Sequence, residues 1–263
     1  MASSDIRGTY QPVSIAGKLA LITGATGGIG AATARLFASR GVHLALHYFS
    51  QTSAAEALVT ELSALGVRAR AYQCDLSDFD AVRQMHAKIV EELGDPDILY
   101  NNAAAERTIM GIRGKIEDVK MEDVEGCWRS NAGAAFLLTQ LCVPPMEKQG
   151  WGRVIFCSSI AAATGGVVGP HYASSKSALH GIMHWVAAQY ARSGVTSNAV
   201  APCLIANTQM FKEPTEAHRN LIPMGRFGQP EEIAQAVELL VTNGYMTNKI
   251  ITVDGGLLPS ALA

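Results

Sequence analysis

Residues 18–30 read KLALITGATGGIG, and this stretch decides the fold. Lys18 to Thr23 form a mostly apolar run of strand length, and a glycine-rich turn follows directly, from Gly24 to Gly30. Between residues 29 and 40 the apolar side chains recur at helical spacing, and Gly41 is a typical helix stop. A strand, a glycine-rich turn and a helix in immediate succession predict the first half of a βαβ unit.

The same alternation of strand and helix continues along the chain. Further apolar runs of strand length lie at residues 43–48, 68–73, 97–101, 153–157, 195–200 and 249–253. Helical periodicity is found at residues 54–65, 79–93, 124–149, 172–192 and 230–242. Pro144 and Pro145 are expected to break the third of these helices near its end, because proline lacks the backbone donor. Uniformly apolar strands separated by helices predict an α/β fold, a single Rossmann-like doubly wound parallel sheet with helices on both faces.

Composition narrows the class of protein. The chain has 263 residues, of which 48% are hydrophobic and 17% charged, with a net charge of −2. This excludes a disordered chain and gives no electrostatic reason for binding nucleic acid or a membrane. Without a linker-like segment, we expect one domain at residues 17–263 after a polar lead-in at residues 1–16.

The five cysteines indicate a reducing compartment. Their number is odd and no two form a CxxC pair, which is typical of buried thiols and predicts neither a disulfide framework nor a metal site. The chain shows no signal pattern, and its apolar runs are shorter than a membrane span. We therefore expect a cytoplasmic protein with no membrane partner. His180 and His184 lie four apart but have no obvious third ligand, so they are expected to pack within the helix.

The glycine-rich turn is the first candidate site. Glycines allow a tight turn and a close approach of the backbone to a pyrophosphate, while the next helix offers free N–H groups and a favourable dipole. The position between a strand and a helix predicts dinucleotide binding, the alternative being a purely structural turn. The residues expected to contact the cofactor here are Gly24, Thr26, Gly28, Ile29 and Gly30.

The end of the second strand bears on the choice of dinucleotide. An acidic residue there would bind the adenosine ribose and repel a 2′-phosphate. Residues 47–52 read HYFSQT and contain no acid, and Tyr48, Ser50 and Gln51 are the candidate contacts. The sequence favours NADP(H) over NAD(H), although no arginine stands in this turn. An ordinary polar loop is the alternative.

A tyrosine and a lysine form the second candidate site. Tyr172 and Lys176 lie four apart at the start of a predicted helix and therefore share one face. A neighbouring cation lowers the pKa of a phenol, which suits acid–base work. Ser159 follows a predicted strand, at the edge of the sheet where ligands bind. Taken alone, the pair could equally be a surface contact.

Several motifs in order carry a family resemblance. They are TGATGGIG (residues 23–30), CDL (74–76), NNA (101–103), Asn131, Ser159, YASSK (172–176), NAVAP (198–202), GRFGQPEEIA (225–234) and VDGG (253–256). With them, residues 18–256 resemble the short-chain dehydrogenase/reductase family, and within it the 3-oxoacyl-[acyl-carrier-protein] reductase-like group.

The resemblance implies four catalytic residues. Tyr172 would be the general acid that protonates the carbonyl oxygen as hydride arrives. Lys176 would hold the nicotinamide ribose and lower the pKa of Tyr172. Ser159 would orient the substrate oxygen, and Asn131 would support a water that relays protons to Lys176.

The resemblance also implies further cofactor contacts and an assembly. Residues near the adenine, the ribose and the nicotinamide would be Asp75, Leu76, Asn102, Ala103, Pro202 and Ile205. The alternatives are purely structural roles: Asp75 caps a helix, Asn102 ties two strands, and Asn131 bends a helix. Relatives imply a homotetramer, with a dimer as the alternative.

The chain departs from the family pattern around the expected pocket. Ala104 and Cys203 stand where glycine is usual, and the first is tolerable if its φ is negative. The family threonine that touches the carboxamide would fall at Asn207, with Thr208 beside it, and the sequence does not choose. The segment 107–119 is longer than usual, and the expected substrate lid, residues 203–221, is shorter. An exposed Cys203 near the nicotinamide would make the enzyme sensitive to alkylation.

These observations predict an NADP(H)-dependent oxidoreductase that reduces a carbonyl to an alcohol, with a 3-oxoacyl thioester among the candidate substrates. The expected partner is a small carbonyl or alcohol. The alternatives are an NAD-dependent alcohol or polyol dehydrogenase and a non-catalytic dinucleotide-binding protein. Non-catalytic relatives usually lose the tyrosine or the lysine, and the presence of Ser159, Tyr172 and Lys176 here favours an enzyme.

Overall fold

The computed structural model describes residues 13–111, 113–211 and 214–259; most of the lead-in and the last four residues lie outside these ranges. In the described part, seven strands form one sheet in which every pairing is parallel. The strands are β1 (Leu19–Ile22), β2 (His43–Tyr48), β3 (Ala69–Gln73), β4 (Ile98–Asn101), β5 (Gly152–Cys157), β6 (Val195–Pro202) and β7 (Ile250–Val253). The predicted doubly wound sheet is confirmed.

The order of the strands places a crevice beside β1. The order is β3-β2-β1-β4-β5-β6-β7, so the chain winds outward from β1 in one direction and then from β4 in the other. In β1, Ala20 pairs with Leu44 of β2 and with Ile98 of β4. Ligands of open α/β sheets bind where the order reverses, outside the carboxyl ends of the strands.

Helices cover both faces of the sheet. They are α1 (Gly28–Ser39), α2 (Thr52–Ser63), α3 (Phe79–Leu93), α4 (Met121–Cys127), α5 (Ala134–Gln149), α6 (Ala161–Thr164), α7 (Pro170–Tyr190), α8 (Glu216–Asn220) and α9 (Pro230–Thr242). Alternate residues of β1 point to opposite cores: Leu21 packs with side chains of α3, α5 and α7, and Ile22 with those of α1, α2 and α9. Each β1 side chain is buried, which explains why the strand is apolar throughout.

The prolines do not break α5, so the expected break is wrong. Pro144 and Pro145 lie inside a helix that continues to Gln149. They remove two backbone donors, but Val143 and Met146 on either side are buried in the core and keep the last turn in place. The helix ends instead at Gly150, whose φ of 74° lies in the left-handed region.

No helix in the described ranges is both long and apolar enough to cross a membrane.

Candidate active site

Four polar segments meet at the carboxyl edge of the sheet. The glycine-rich turn follows β1, Asn102 follows β4, Ser159 lies just beyond β5, and Pro202 ends β6. Since these strands are neighbours in parallel, their ends converge on one crevice. The structure thus brings together the segments that the sequence marked as separate motifs.

The glycine-rich turn is fixed by hydrogen bonds from two sides. Gly24 has a φ of 63°, a conformation that favours glycine. The side-chain amide of Asn102 donates to the carbonyl oxygens of Thr23 (2.9 Å) and Gly24 (3.2 Å). The Thr23 hydroxyl accepts from the backbone N–H groups of Asn102 and Ala103, at 2.9 and 3.0 Å. Asn102 therefore ties the segment after β4 to the glycine-rich turn after β1. This agrees with the alternative that its side chain connects two strands.

His47 holds the same turn from the side of β2, and sequence reasoning gave it no role. Its Nδ1 accepts a hydrogen bond from Gly24 N–H (3.0 Å), and its Nε2 lies 3.0 Å from the carbonyl oxygen of Cys74. Burial lowers its pKa to about 4, against a smaller opposing effect of the hydrogen bond to Cys74. The only signal in the sequence is a histidine inside the apolar run HLALHY.

The end of β2 leads into a helix start with no acid nearby. Helix α2 begins at Thr52 after Gln51, whose side chain makes no capping hydrogen bond, and the first turn contains no Asp or Glu. Ser50 is exposed and Tyr48 is buried. Free N–H groups at a helix start favour an anion.

Asp75 shapes the turn after β3 but does not cap α3. Its carboxylate accepts from the backbone N–H and the hydroxyl of Ser77, both at 2.8 Å. The cap of α3 is Asp78, which accepts from the N–H groups of Asp80 and Ala81. Leu76 is buried between them. The helix-capping alternative for Asp75 is wrong, because Asp78 occupies that place.

Tyr172 and Lys176 lie on one face of α7, as their spacing predicted. The Lys176 Nζ lies 5.7 Å from the centre of the Tyr172 ring, and both side chains are buried. Lys176 Nζ donates to the carbonyl oxygen of Cys157 at the end of β5 (2.6 Å). The Ser159 hydroxyl accepts from Ala161 N–H (3.1 Å) and interacts with the Tyr172 hydroxyl. The three side chains form one cluster.

Burial sets the charge states of this cluster. It raises the pKa of Tyr172 above its ordinary value, and the hydrogen bond with Ser159 opposes that rise. Burial also lowers the pKa of Lys176. The direction for Tyr172 is opposite to the one expected from a neighbouring cation, because desolvation of a phenolate is the larger effect. A phenol that stays protonated is suited to donate a proton.

Asn131 anchors the segment after β4. It lies in a π-helical turn, Trp128–Gly133, between α4 and α5. Its Oδ1 accepts from Ala105 N–H (2.7 Å), and its Nδ2 donates to Ala105 O (2.9 Å) and to the Ser175 hydroxyl (3.0 Å). Ser175 in turn donates to the carbonyl oxygen of Tyr172 (2.7 Å). The side chain of Asn131 thus connects the pocket wall to the first turn of α7.

The described part of residues 203–221, the expected lid, contacts both the glycine-rich turn and Tyr172. Ile205 is buried, and the carbonyl of Asn207 packs against Gly28 at the start of α1. The Thr208 hydroxyl donates to Ile205 O (3.0 Å). The Tyr172 hydroxyl lies 3.6 Å from the thioether sulfur of Met210, which sequence reasoning did not place there. Residues 212 and 213 of this segment lie outside the described ranges.

The departures from the family pattern have simple structural outcomes. Ala104 is not one of the four described non-glycine residues with positive φ, so its methyl group is tolerated. Burial, with a smaller effect of Asp254, raises the pKa of Cys203 to about 11. Its thiol is therefore mostly protonated near neutral pH, which lowers the thiolate fraction, and the sensitivity to alkylation stays a prediction.

The histidines near the site have structural partners. His171 is buried at the first turn of α7, with its Nε2 3.1 Å from the carbonyl oxygen of Glu106. The Nε2 of His180 lies 2.7 Å from the Ser158 hydroxyl. Among the described residues, no group of three or more potential ligands is placed to hold a metal ion.

Comparison with known proteins identifies the family. Residues 18–219 match the model of the family described as short chain dehydrogenase. The chain belongs to the short-chain dehydrogenase family. It is accordingly an NAD(P)-dependent oxidoreductase.

Individual relatives cover nearly the whole chain. The 3-oxoacyl-[acyl-carrier-protein] reductase of Synechocystis sp. is 34% identical over 248 residues, 93% of this chain and 98% of the relative. Nodulation protein G of Azospirillum brasilense is 34% identical over 245 residues, 91% of this chain and 98% of the relative. A solved structure of a blue fluorescent protein from a metagenomic library, in complex with NADPH, matches with a TM-score of 0.85 and 33% identity. It covers 94% of this chain and 100% of that one.

Proposed function

We propose that this short-chain dehydrogenase is an NADP(H)-dependent reductase that converts a carbonyl to an alcohol. The observation that carries the proposal is the cluster of the half-buried Ser159 with the buried Tyr172 and Lys176 at the carboxyl edge of the sheet. A 3-oxoacyl thioester is the first candidate substrate, supported by the names of the 34% identical relatives from Synechocystis sp. and Thermotoga maritima.

The catalytic roles follow from the atoms available. When bound, the reduced nicotinamide supplies hydride to the carbonyl carbon. Tyr172 donates its phenolic proton to the carbonyl oxygen, and the Ser159 hydroxyl donates a hydrogen bond to the same oxygen. Lys176 holds the nicotinamide ribose and, through its positive charge, stabilises the phenolate that remains. Asn131 supports the return of a proton to Lys176.

We assign successive segments of the crevice to the parts of a dinucleotide. Gly24 to Gly30 present a tight turn and the start of α1 to a pyrophosphate. The turn after β3 would border the adenine, the segment after β4 the ribose, and the segment after β6 the nicotinamide. The residues assigned to these contacts are Gly24, Thr26, Gly28, Ile29, Gly30, Tyr48, Ser50, Gln51, Asp75, Leu76, Asn102, Ala103, Ala104, Tyr172, Lys176, Pro202, Ile205, Asn207 and Thr208.

The start of α2 supports a preference for NADP(H). Its first turn has no acid and its Gln51 makes no capping hydrogen bond, so backbone N–H groups and the Ser50 hydroxyl can donate hydrogen bonds to a 2′-phosphate. The NADPH complex of the matched blue fluorescent protein adds support.

We expect Ser50→Asp to shift the cofactor preference from NADPH to NADH. A carboxylate at the exposed end of β2 repels the 2′-phosphate and offers an acceptor to a free ribose hydroxyl. The dissociation constant for NADPH should rise about tenfold or more, since a like-charge contact costs on the order of 1–2 kcal/mol, while that for NADH stays equal or falls. Fluorescence titration with both cofactors measures this. Ser50→Asn, the neutral isostere, is the control, and equal NADPH affinity in both variants would contradict the assignment.

The assembly proposed is a homotetramer built from pairs of long helices. Trp128, Phe136 and Trp185 on the α4–α5 helix and α7 are 44–59% exposed, which is unusual for aromatic side chains. Trp128, Phe136 and Ile182 line one mostly apolar surface groove, and we assign this groove, with the exposed Trp185, to contact with a second copy of the chain. Light scattering should give four subunits, with two as the alternative, and Phe136→Glu should lower the mass.

We also assign the bounds of the domain and of its lid, and the cellular location of the protein. Residues 17–263 form the catalytic domain, and residues 203–221 act as its substrate lid. The five cysteines are all free and four are buried, which fits a cytoplasmic enzyme.

The proposed reaction is tested by a panel of substrates. Purified protein should bind NADPH and oxidise it in the presence of ketones that include an acetoacetyl thioester. Preference for NADH and alcohols would support an alcohol or polyol dehydrogenase instead. Binding without turnover on any substrate would indicate a non-catalytic relative.

A further inference from the structure

His47 connects three segments of the cofactor crevice. Its Nδ1 accepts from Gly24 N–H (3.0 Å) in the glycine-rich turn, and its Nε2 reaches the carbonyl oxygen of Cys74 (3.0 Å), one residue before Asp75. The backbone carbonyl oxygen of His47 also accepts from Ala25 N–H (2.9 Å). One residue therefore links the end of β2 to the turns after β1 and β3.

The partners determine the state of the ring. A backbone N–H only donates and a backbone carbonyl only accepts, so Nδ1 has no proton and Nε2 carries one. The ring is only 2% exposed, so water does not replace either partner. An apolar side chain of the same size would fill the space but leave Gly24 N–H and Cys74 O without this partner.

We propose that His47 is a positioning residue for the cofactor, which fixes the glycine-rich turn and the Asp75 turn at the spacing that a dinucleotide requires. The inference rests on the proposed function, because it assigns the pyrophosphate to the first turn and the adenine to the second. Gly24 is then held on both sides, through its N–H by His47 and through its carbonyl by Asn102. A crevice fixed before binding lowers the ordering cost of the complex.

Two conservative variants separate the two hydrogen bonds. In His47→Asn the amide oxygen takes the place of Nδ1 and can keep the Gly24 bond. In His47→Gln the longer side chain reaches toward Cys74 but offers no group at the Nδ1 position. His47→Leu removes both bonds. His86, a second buried histidine, lies on α3 outside the crevice, so His86→Asn is the matched control.

The test is a fluorescence titration with NADPH, together with a thermal melt of each variant and steady-state kinetics. Loss of a net hydrogen bond of about 1–1.5 kcal/mol raises a dissociation constant by about tenfold. We expect His47→Leu and His47→Gln to show this rise both in the dissociation constant and in KM for NADPH. Their kcat should stay within about twofold of the wild type, because the lost binding energy is the same in the ground state and the transition state. His47→Asn should recover most of the affinity, and His86→Asn should match the wild type.

The outcomes distinguish the inference from the proposed function. If the wild type binds neither NADPH nor NADH, both are overturned. If the wild type binds and His47→Leu binds equally well, the positioning role alone is overturned. A purely structural role would lower the melting temperature of His47→Asn and His47→Gln alike without separating their affinities, and this would also overturn it. Should His47→Leu fail to fold, the Asn–Gln comparison decides.

Discussion

Tyr172→Phe should remove about 10²- to 10⁴-fold of the reductase kcat and leave NADPH affinity nearly unchanged, as expected for loss of a general acid. The substitution deletes the hydroxyl that lies beside Ser159 and keeps the ring that packs next to Lys176. The effect therefore falls on proton donation rather than on folding or cofactor binding. Absorbance of NADPH at saturating substrate gives kcat, and fluorescence titration gives the affinity.

The control and the pH profile make this test specific. The control is Tyr190→Phe, which removes a phenol hydroxyl at the far end of the same helix and should retain full activity. Because burial raises the pKa of Tyr172 above its ordinary value of 10.0, the phenol is protonated at neutral pH. Reduction should then show no loss from this group between about pH 6 and 9, whereas oxidation of the alcohol, which needs the phenolate, should rise with pH. A Tyr172→Phe enzyme with undiminished kcat would exclude the tyrosine as the acid.

Gly30→Ala is the second substitution with a large expected effect. A Cβ at this position would lie 2.4 Å from the carbonyl oxygen of Gly24 and 2.9 Å from both Ala25 Cα and the Asn102 side chain. Two of these neighbours are backbone atoms of the turn, which cannot move without displacing the cofactor crevice. Overpacking of this kind costs about 1–3 kcal/mol or more of folding stability. Thermal melts and NADPH titration should both show the loss.

Gly27→Ala is the matched control in the same turn. A Cβ there would lie 3.4 Å from the carbonyl oxygen of Gly24, an ordinary contact, and φ is −74°. Alanine is a poorer start to a helix than glycine, so a loss below about 1 kcal/mol is expected. If Gly30→Ala is as stable and as tight for NADPH as Gly27→Ala, the close packing of α1 on the turn is not essential.

The architecture was predictable because it depends on local pattern. Strands such as β1 are apolar on both faces, helices end at Gly41 or Gly150, and the carboxyl ends of parallel strands must share one edge. These rules placed Ser159 at the crevice, whereas the place of the Tyr172–Lys176 pair beside it followed from the family resemblance. The prolines of α5 show the limit of such rules, since buried neighbours override two missing hydrogen bonds.

Contacts between distant segments were not predictable. The pairing of His47 with Gly24 and Cys74 depends on the register of three strands, and the contact of Met210 with Tyr172 depends on the path of a loop. The rise in the pKa of Tyr172 has the same origin, because burial follows from packing and not from the spacing of Tyr172 and Lys176. The sequence pattern identifies Tyr172 and Lys176 as candidate groups, and tertiary packing determines the pKa of each.

The most direct test of the central claim is transfer of deuterium from NADPH deuterated at the reactive carbon. The wild type is incubated with the ketone panel and the products are analysed by mass spectrometry. We predict one deuterium on the carbinol carbon of at least one product, and formation of that product about 10²- to 10⁴-fold more slowly with Tyr172→Phe. Tight binding of NADPH with no deuterated product from any ketone or thioester would contradict it.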